Sequence, residues 1–393
     1  MTATSARSGT RSAIDAALIL TIGMGFGRFA FTAVYPRMVE DGVLSIADGS
    51  LAASANYAGY LIGALLAMRA KAHSAHRLCL GSMLGTVACL ALLGVANSAM
   101  PVLIIRFIAG IFSAMAMVAA SLWLLEHKKF PSGAPLLFSG VGLGIVVSSE
   151  LLALARHAGL HSHGLWLLLA LASLVVGLMA TPGLMAKGTA TLGDVARTSA
   201  RPHERALPLI IIYGLAGFGY IITATFLPLM VKAALPSVES AHVWAVFGLG
   251  AIPSCFVWHR LDQRLGTRMA LMLNLALQAF GVVLPALLPS AASYLTSALL
   301  VGGTCMGTVT IALSAGQRLA RRTGKNLVAR LTVVFGIGQI IGPLLAGHWY
   351  QQSHQFGGAL MAAAAALALG ALISVTLLLE RGTPPLNTAQ NAG

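Results

Sequence analysis

The sequence predicts an all-α polytopic membrane protein whose twelve transmembrane helices form two pseudo-symmetric six-helix bundles. Three observations predict it: the composition is too apolar for a soluble chain, the apolar residues fall in bilayer-length runs, and the second half repeats motifs of the first. Of 393 residues, 57% are hydrophobic and only 9% are charged, against about 25% charged in an average soluble domain. Mean hydropathy is +0.84. A helix needs about 20 apolar residues to cross a hydrocarbon core about 30 Å thick.

Hydropathy marks twelve such segments, near residues 13–38, 50–68, 77–97, 101–124, 133–156, 164–181, 207–232, 240–258, 267–288, 290–316, 326–350 and 357–379. Pro285 and Pro289 mark the turn between the ninth and tenth. The basic start and apolar continuation of the chain resemble a secretory leader. The apolar run, however, continues through residue 34 with no A-x-A-like site near its end, so it reads as a retained first helix.

Orientation follows from the cations. Those of one set of loops, including Arg7, Arg11, Arg69, Lys71, Arg77, Lys128, Lys129, Lys187, Arg201, Arg260, Arg264, Arg268, Arg318, Arg330 and Arg381, face only Arg37, Arg156 and Lys232 on the other side. The positive-inside rule makes the first set cytoplasmic, with both termini. Trp123, Trp166, Trp244, Trp258 and Trp349 fall near predicted helix ends, where aromatic belts sit. The polar, basic stretch 182–206 divides the spans six and six. It reads as a cytoplasmic linker between bundles at 1–181 and 207–393.

Several function classes are disfavoured. A net charge of +14 could suggest nucleic acid, but the cations are scattered over short loops rather than gathered on one face. The four cysteines lie inside apolar runs without metal-site spacing and read as buried small residues with no disulfide. His157, His161 and His163 sit in one loop, and without a fourth ligand they read as solvated rather than as a metal site. No phosphate-binding G-x-x-x-x-G-K-[ST] loop occurs. No paired base and nucleophile suggests an enzyme. We expect no cofactor and no obligate protein partner.

The repeat is direct. Residues 25–39, GFGRFAFTAVYPRMV, align with 217–231, GFGYIITATFLPLMV, at an offset of 192. Gly59, Arg69 and Arg77 fall over Gly250, Arg260 and Arg268 at an offset of 191. FSGVGLG at 138–144 aligns with FGIGQIIGP at 335–343, placing Gly140 and Gly142 over Gly336 and Gly338. Parallel six-span repeats are a signature of transporters whose halves move about a midplane site. Each glycine alone also reads as a close helix–helix contact.

On these residues the sequence resembles the major facilitator superfamily over nearly its whole length. HRLDQRLGTRMA, with Asp262, Arg264, Gly266 and Arg268, resembles the superfamily's D-R-x-G-R-R loop. It departs from that pattern at Gln263, and the matching first-half loop has Lys71 where the acid would stand. Arg106 and Gly110 in LIIRFIAGIFSA resemble the R-x-x-x-G motif of span four, whose arginine the family often links to proton coupling. Gly338, Gly342 and Pro343 resemble, more loosely, a bending motif of antiporters. The first span, with ASANYAGYLIGA after it, is similar to the YbfB/YjiJ-like bacterial branch, which implies a bacterial inner membrane.

Three charges lie inside spans: Arg28, Arg106 and Glu150. Such charges are costly and by default face a cavity or a partner. At about 1.5 Å per residue all three reach the outer half of the membrane at comparable depth. The expectation is an ion pair of Glu150 with one arginine, leaving the other for a substrate carboxylate. Alternatively Glu150 exchanges a proton as access switches. Each also has a plain structural reading. Tyr220 takes the Arg28 position in the second half, while Asn56 and Gln339 are buried polar residues that read more readily as helix–helix hydrogen bonds. Asp15 reads as a charge at a helix N-terminus.

The expected function is secondary transport by alternating access, proton-coupled, with a small organic anion as substrate. Partners are then the substrate, protons and membrane lipid. Alternatives are a proton-coupled exporter of amphipathic compounds and, from another class, a transporter-like sensor.

Overall fold

The computed structural model describes residues 3–185, 206–323 and 327–375. Its twelve membrane-length helices are α1 Gly9–Glu40, α2 Ile46–Ala67, α3 Ala72–Leu93, α4 Ala99–His127, α5 Pro131–His157, α6 Ser162–Met185, α7 Leu207–Ala234, α8 Ser240–Leu265, α9 Thr267–Leu287, α10 Ala291–Ala320, α11 Leu327–Ser353 and α12 Gly357–Ser374. Each overlaps one predicted span. No strand occurs among the described residues. Helix α6 continues three residues past Pro182, into the stretch expected to be linker, and 186–205 lie outside the described residues.

Helix α1 is the most enclosed. Its middle, Thr21–Phe29, is a π-helix of sequence TIGMGFGRF. Its three glycines explain the site: Gly23 packs on Ala116 of α4, Gly25 on Gly144 of α5 and Gly27 on Thr86 of α3. A side chain at Gly25 would put its Cβ 2.4 Å from the Gly144 Cα, an impossible contact. Glycine is also poor in α-helices, by about 1 kcal/mol relative to alanine. The segment thus yields its α-helical geometry in exchange for three close contacts.

The repeat is visible in packing. Gly59 of α2 packs on the Phe107 carbonyl of α4, and Gly250 of α8 packs on the Leu299 carbonyl of α10. Gly110 of α4 meets the Asn56 carbonyl, and Gly302 of α10 meets the Phe247 carbonyl. The third alignment needs correction by two residues. Gly142 faces Gly248 and Ile252 of α8, and the residue that faces across the matching α2–α11 seam is Gly336, against Leu61. Gly338 instead packs on α7 at Gly214 and Phe218, as Gly144 packs on α1 at Thr21 and Gly25. Gly142 therefore matches Gly336, and Gly144 matches Gly338. Short glycine-rich phrases align at several registers, and only the contacts choose between them.

Helices from the two sequence repeats meet along three seams. Thr32 Oγ1 of α1 donates to the Ala224 carbonyl of α7 at 2.8 Å, and these residues are themselves 192 apart, the repeat offset. Ser54 of α2 donates to the Ile340 carbonyl of α11 at 2.9 Å. Trp244 Nε1 of α8 donates to the Phe29 carbonyl of α1 at 3.2 Å.

Ion pairs close the end of the bundle that carries Glu40. Lys232 lies 3.0 Å from Glu40, and Arg156 lies 2.9 Å from Glu239, joining α7 to α1 and α5 to α8. Arg37 pairs with Glu40 and Asp41, each at 3.2 Å. The three cations predicted for that side are thus all paired. Arg37, Arg156, His157 and Glu239 line a cleft of about 160 Å³ there. Burial would raise the Asp41 carboxyl, but bonds from His161 and the Ser162 amide, with the Arg37 charge, hold it below the ordinary aspartate range.

Two expectations are corrected. Trp123, Trp166 and Trp244 are fully buried and Trp258 nearly so, hence these four do not form a lipid-facing belt. Their rings fill the bundle instead, and Trp258 Nε1 bonds the Gly303 carbonyl. Asp15 stands twelve residues into a helix that starts at Ala3, so it is not an N-terminal charge. It is buried against Gly183, with Arg11 and Lys128 acting on it.

Candidate functional site

Arg28 is 3% exposed and Arg106 is 1% exposed. Among the described residues neither forms an ion pair. Their surroundings differ in a way that separates their roles. Arg106 sends Nη1 to the Gly27 carbonyl at 3.1 Å and Nη2 to the Arg28 carbonyl at 3.3 Å. Its guanidinium lies 4.3 Å from the Phe31 ring centre. It is a cation bonded to the end of the π-helix, with its buried Nε left without a partner. Asn56 Nδ2 donates to the Arg106 carbonyl at 2.8 Å, tying α2 to α4.

Arg28 has no such bonds on Nε or Nη2, both buried. Aromatic faces surround it instead: its guanidinium carbon is 4.1 Å from the Tyr60 ring centre, 4.9 Å from Tyr57 and 5.3 Å from Phe29. Such contacts return about 0.5–2 kcal/mol each. They lie against the guanidinium, while its Nε and Nη2 keep no hydrogen-bond partner.

The second repeat supplies the opposite wall. The Arg28 charge acts on Tyr220, the residue at its repeat position. Gln339 Nε2 of α11 donates to the Tyr220 hydroxyl. Gln339 Oε1 is buried without a partner. Phe335 stacks on Tyr213 at 4.3 Å and on Tyr220 at 5.8 Å. The Tyr57 hydroxyl bonds Thr225 Oγ1 of α7 at 3.0 Å, closing the ring between repeats. Arg28, Tyr220 and Gln339, singled out from the sequence, thus share one buried aromatic site. Tyr57, Tyr60, Tyr213 and Phe335 were missed, because aromatic residues in apolar spans read as ordinary packing.

Glu150 is not in this site. Its side chain is 45% exposed and its Oε1 lies 3.0 Å from His242 Nδ1 of α8. The ion pair expected with an arginine does not form. The reason is helical: Glu150 follows Gly142 and Val146 by eight and four residues, and those face Gly248 of α8. Depth along the axis was right for a shared level, but the azimuth takes Glu150 to the α5–α8 seam.

The loop motif also reads differently. Asp262 Oδ1 accepts from Thr267 at 2.7 Å, and Oδ2 lies 3.5 Å from Arg318 of α10, so the contacts stay within the second repeat. Gly266 has φ of +81°, a left-handed turn that favours glycine. Arg264 and Arg268 are exposed. Gly342 packs on Phe218 and Ile221 of α7, with Pro343 buried beside it inside α11. The histidines disperse: His161 bonds Asp41, and His157 bonds the Ala153 carbonyl.

A family model described as uncharacterised MFS-type transporter YbfB matches residues 20–375. The chain belongs to this family. It is a multi-pass membrane transporter rather than an enzyme, and the branch resemblance seen in α1 and α2 holds along the matched region. No curated protein matches it.

Proposed function

We propose that the protein is a secondary transporter of small organic anions, with Arg28 as the anion-binding residue. The observation that supports this is a buried guanidinium whose Nε and Nη2 have no partner, with no carboxylate beside it among the described residues. A carboxylate meets two parallel guanidinium N–H groups in plane, the strongest geometry available to either. Its arrival would also supply the missing counter-charge.

The halves 1–181 and 207–393 would alternate access about this site, since it draws on α1 and α2 from one and α7 and α11 from the other. Closure at the Glu40 end supports reading the described state as open or occluded toward the opposite side. That opposite side would be the cytoplasm of a bacterium, with the protein in the inner membrane and both termini inside. The proton coupling we propose runs through the Glu150–His242 pair, a titratable contact across the α5–α8 seam beside the Arg156–Glu239 pair. Asp262, Arg264, Gly266 and Arg268, with Gly110, Gly338, Gly342 and Pro343, would serve the conformational change. An exporter of cationic amphipaths fits the site poorly, because its buried charge is positive.

The test is purified protein in liposomes carrying an internal pH dye. Adding organic anions one at a time should drive proton movement in wild type and not in Arg28→Gln. Movement driven by amphipathic cations, or anion transport unchanged in Arg28→Gln, would refute the assignment.

A further inference from the structure

The aromatic walls define more than a charge. Tyr57, Tyr60 and Phe29 surround Arg28, and Phe335 stacks on Tyr213 and Tyr220 in the second repeat, so four of the chain's seven tyrosines take part. The Tyr57 hydroxyl, 3.0 Å from Thr225 Oγ1 of α7, joins the two sets of rings across the repeats. The cluster is one structure, contributed by α1, α2, α7 and α11.

Its geometry restricts the ligand's shape. Arg28 lies 4.1 Å over the Tyr60 ring, and its buried Nε and Nη2 have no protein partner, so that edge is the one available to a ligand. A carboxylate bonded to that edge lies in the guanidinium plane. A body conjugated to the carboxylate keeps the plane and continues between aromatic faces. A body joined through a tetrahedral carbon turns out of the plane toward the walls. Phe335 is nearly parallel to both Tyr213 and Tyr220, at 20° and 18°, so the far wall is flat as well. Beyond it the buried Gln339 Oε1 is an acceptor without a donor.

We propose that the site takes planar aromatic monocarboxylates, and that Gln339 reads a hydroxyl donor on the ring edge away from the carboxylate. This rests on Arg28 being the anion site. Two orphaned polar groups then have partners on one ligand: the Arg28 edge holds the carboxylate, and Gln339 accepts from the hydroxyl.

The experiment is isothermal titration of the purified full-length protein with benzoate, 4-hydroxybenzoate, cyclohexanecarboxylate and hexanoate. Benzoate should bind at least tenfold more tightly than cyclohexanecarboxylate, and 4-hydroxybenzoate more tightly still. Phe335→Leu should cut the aromatic preference several-fold while cyclohexanecarboxylate binding persists. Gln339→Leu should bring 4-hydroxybenzoate down to the affinity the same variant shows for benzoate, whereas loss of a merely structural glutamine would weaken both ligands by the same factor. Equal affinities across the panel, all lost in Arg28→Gln, would overturn the aromatic class and keep the anion site. Affinities unaffected by Arg28→Gln, or no carboxylate binding to folded wild type, would overturn both.

Discussion

Replacing either buried arginine by methionine removes the same charge from the same region, yet the two should differ in their effect on stability. Arg106 donates to two backbone carbonyls. Hydrogen bonds from a charged donor are worth about 1.5–3 kcal/mol each, so Arg106→Met forfeits roughly 3–6 kcal/mol, against about 1–3 kcal/mol relieved at its one unpartnered Nε. Arg28 holds two buried N–H groups without partners. Each such orphan costs about 1–3 kcal/mol, so Arg28→Met relieves roughly 2–6 kcal/mol. Against that stands the loss of three cation–π contacts at about 0.5–2 kcal/mol each, partly replaced by sulfur–aromatic contacts of about 0.3–1.5 kcal/mol. The terms nearly cancel for Arg28, whereas those for Arg106 do not. We therefore expect the melting temperature of purified Arg28→Met to equal or exceed that of wild type. For Arg106→Met we expect a fall of several degrees. Arg28→Met should also lose anion-dependent stabilisation, so stability and function part company at that residue. If Arg28→Met lowers the melting temperature as far as Arg106→Met, Arg28 is a structural cation and the reasoning fails.

Two further predictions concern the closed end. Removing the pairs Glu40–Lys232 and Glu239–Arg156 by Glu40→Gln with Glu239→Gln should favour opening there. At up to about 1 kcal/mol per exposed pair, the population shifts by at most about 30-fold. Labelling of a Thr32→Cys reporter, with the four native cysteines replaced, should accelerate within that bound, and an unchanged rate would show that the pairs do not hold the seam. The second concerns pH. Asp41 has a lowered folded-state pKa, so its contribution is fully present above the ordinary aspartate value of about 3.9 and is lost as pH falls through the lowered value. The Ser162 amide, 2.6 Å from Asp41 Oδ2, should keep its hydrogen-exchange protection factor at neutral pH and lose it in acid. Protection that persists unchanged to pH well below about 3 would contradict that account.

Much of the fold was legible because one strong physical constraint writes it. A helix crossing lipid must be apolar for its full length, so each of the twelve spans announced itself in hydropathy. The repeat was legible at Gly25–Val39 and Gly59, where a rare residue order recurs. It was misread by two residues at Gly140 and Gly142, where only the packing partner distinguishes one glycine from the next. The site was half legible. Arg28 stood out because a cation in lipid demands a reason. Glu150 stood out equally and belongs elsewhere, since sequence gives depth along a helix more readily than the face a residue presents among neighbours. Arg106 could not be sorted from Arg28 until its carbonyl partners were seen. The tryptophans misled for the same reason, because proximity to a helix end does not say whether a ring faces lipid or core.

The central claim is that the free edge of Arg28 holds the substrate's carboxylate. The most direct measurement is an experimental structure of the protein with 4-bromobenzoate, located by the anomalous signal of bromine. The account predicts the carboxylate within hydrogen-bond distance of Arg28 Nε and Nη2 and the bromine against the hydrogen-bonded Tyr220–Gln339 pair, on the side of the unpartnered Gln339 Oε1. Bromine bound elsewhere, with Arg28 bonded to a protein carboxylate or carbonyl, would contradict it.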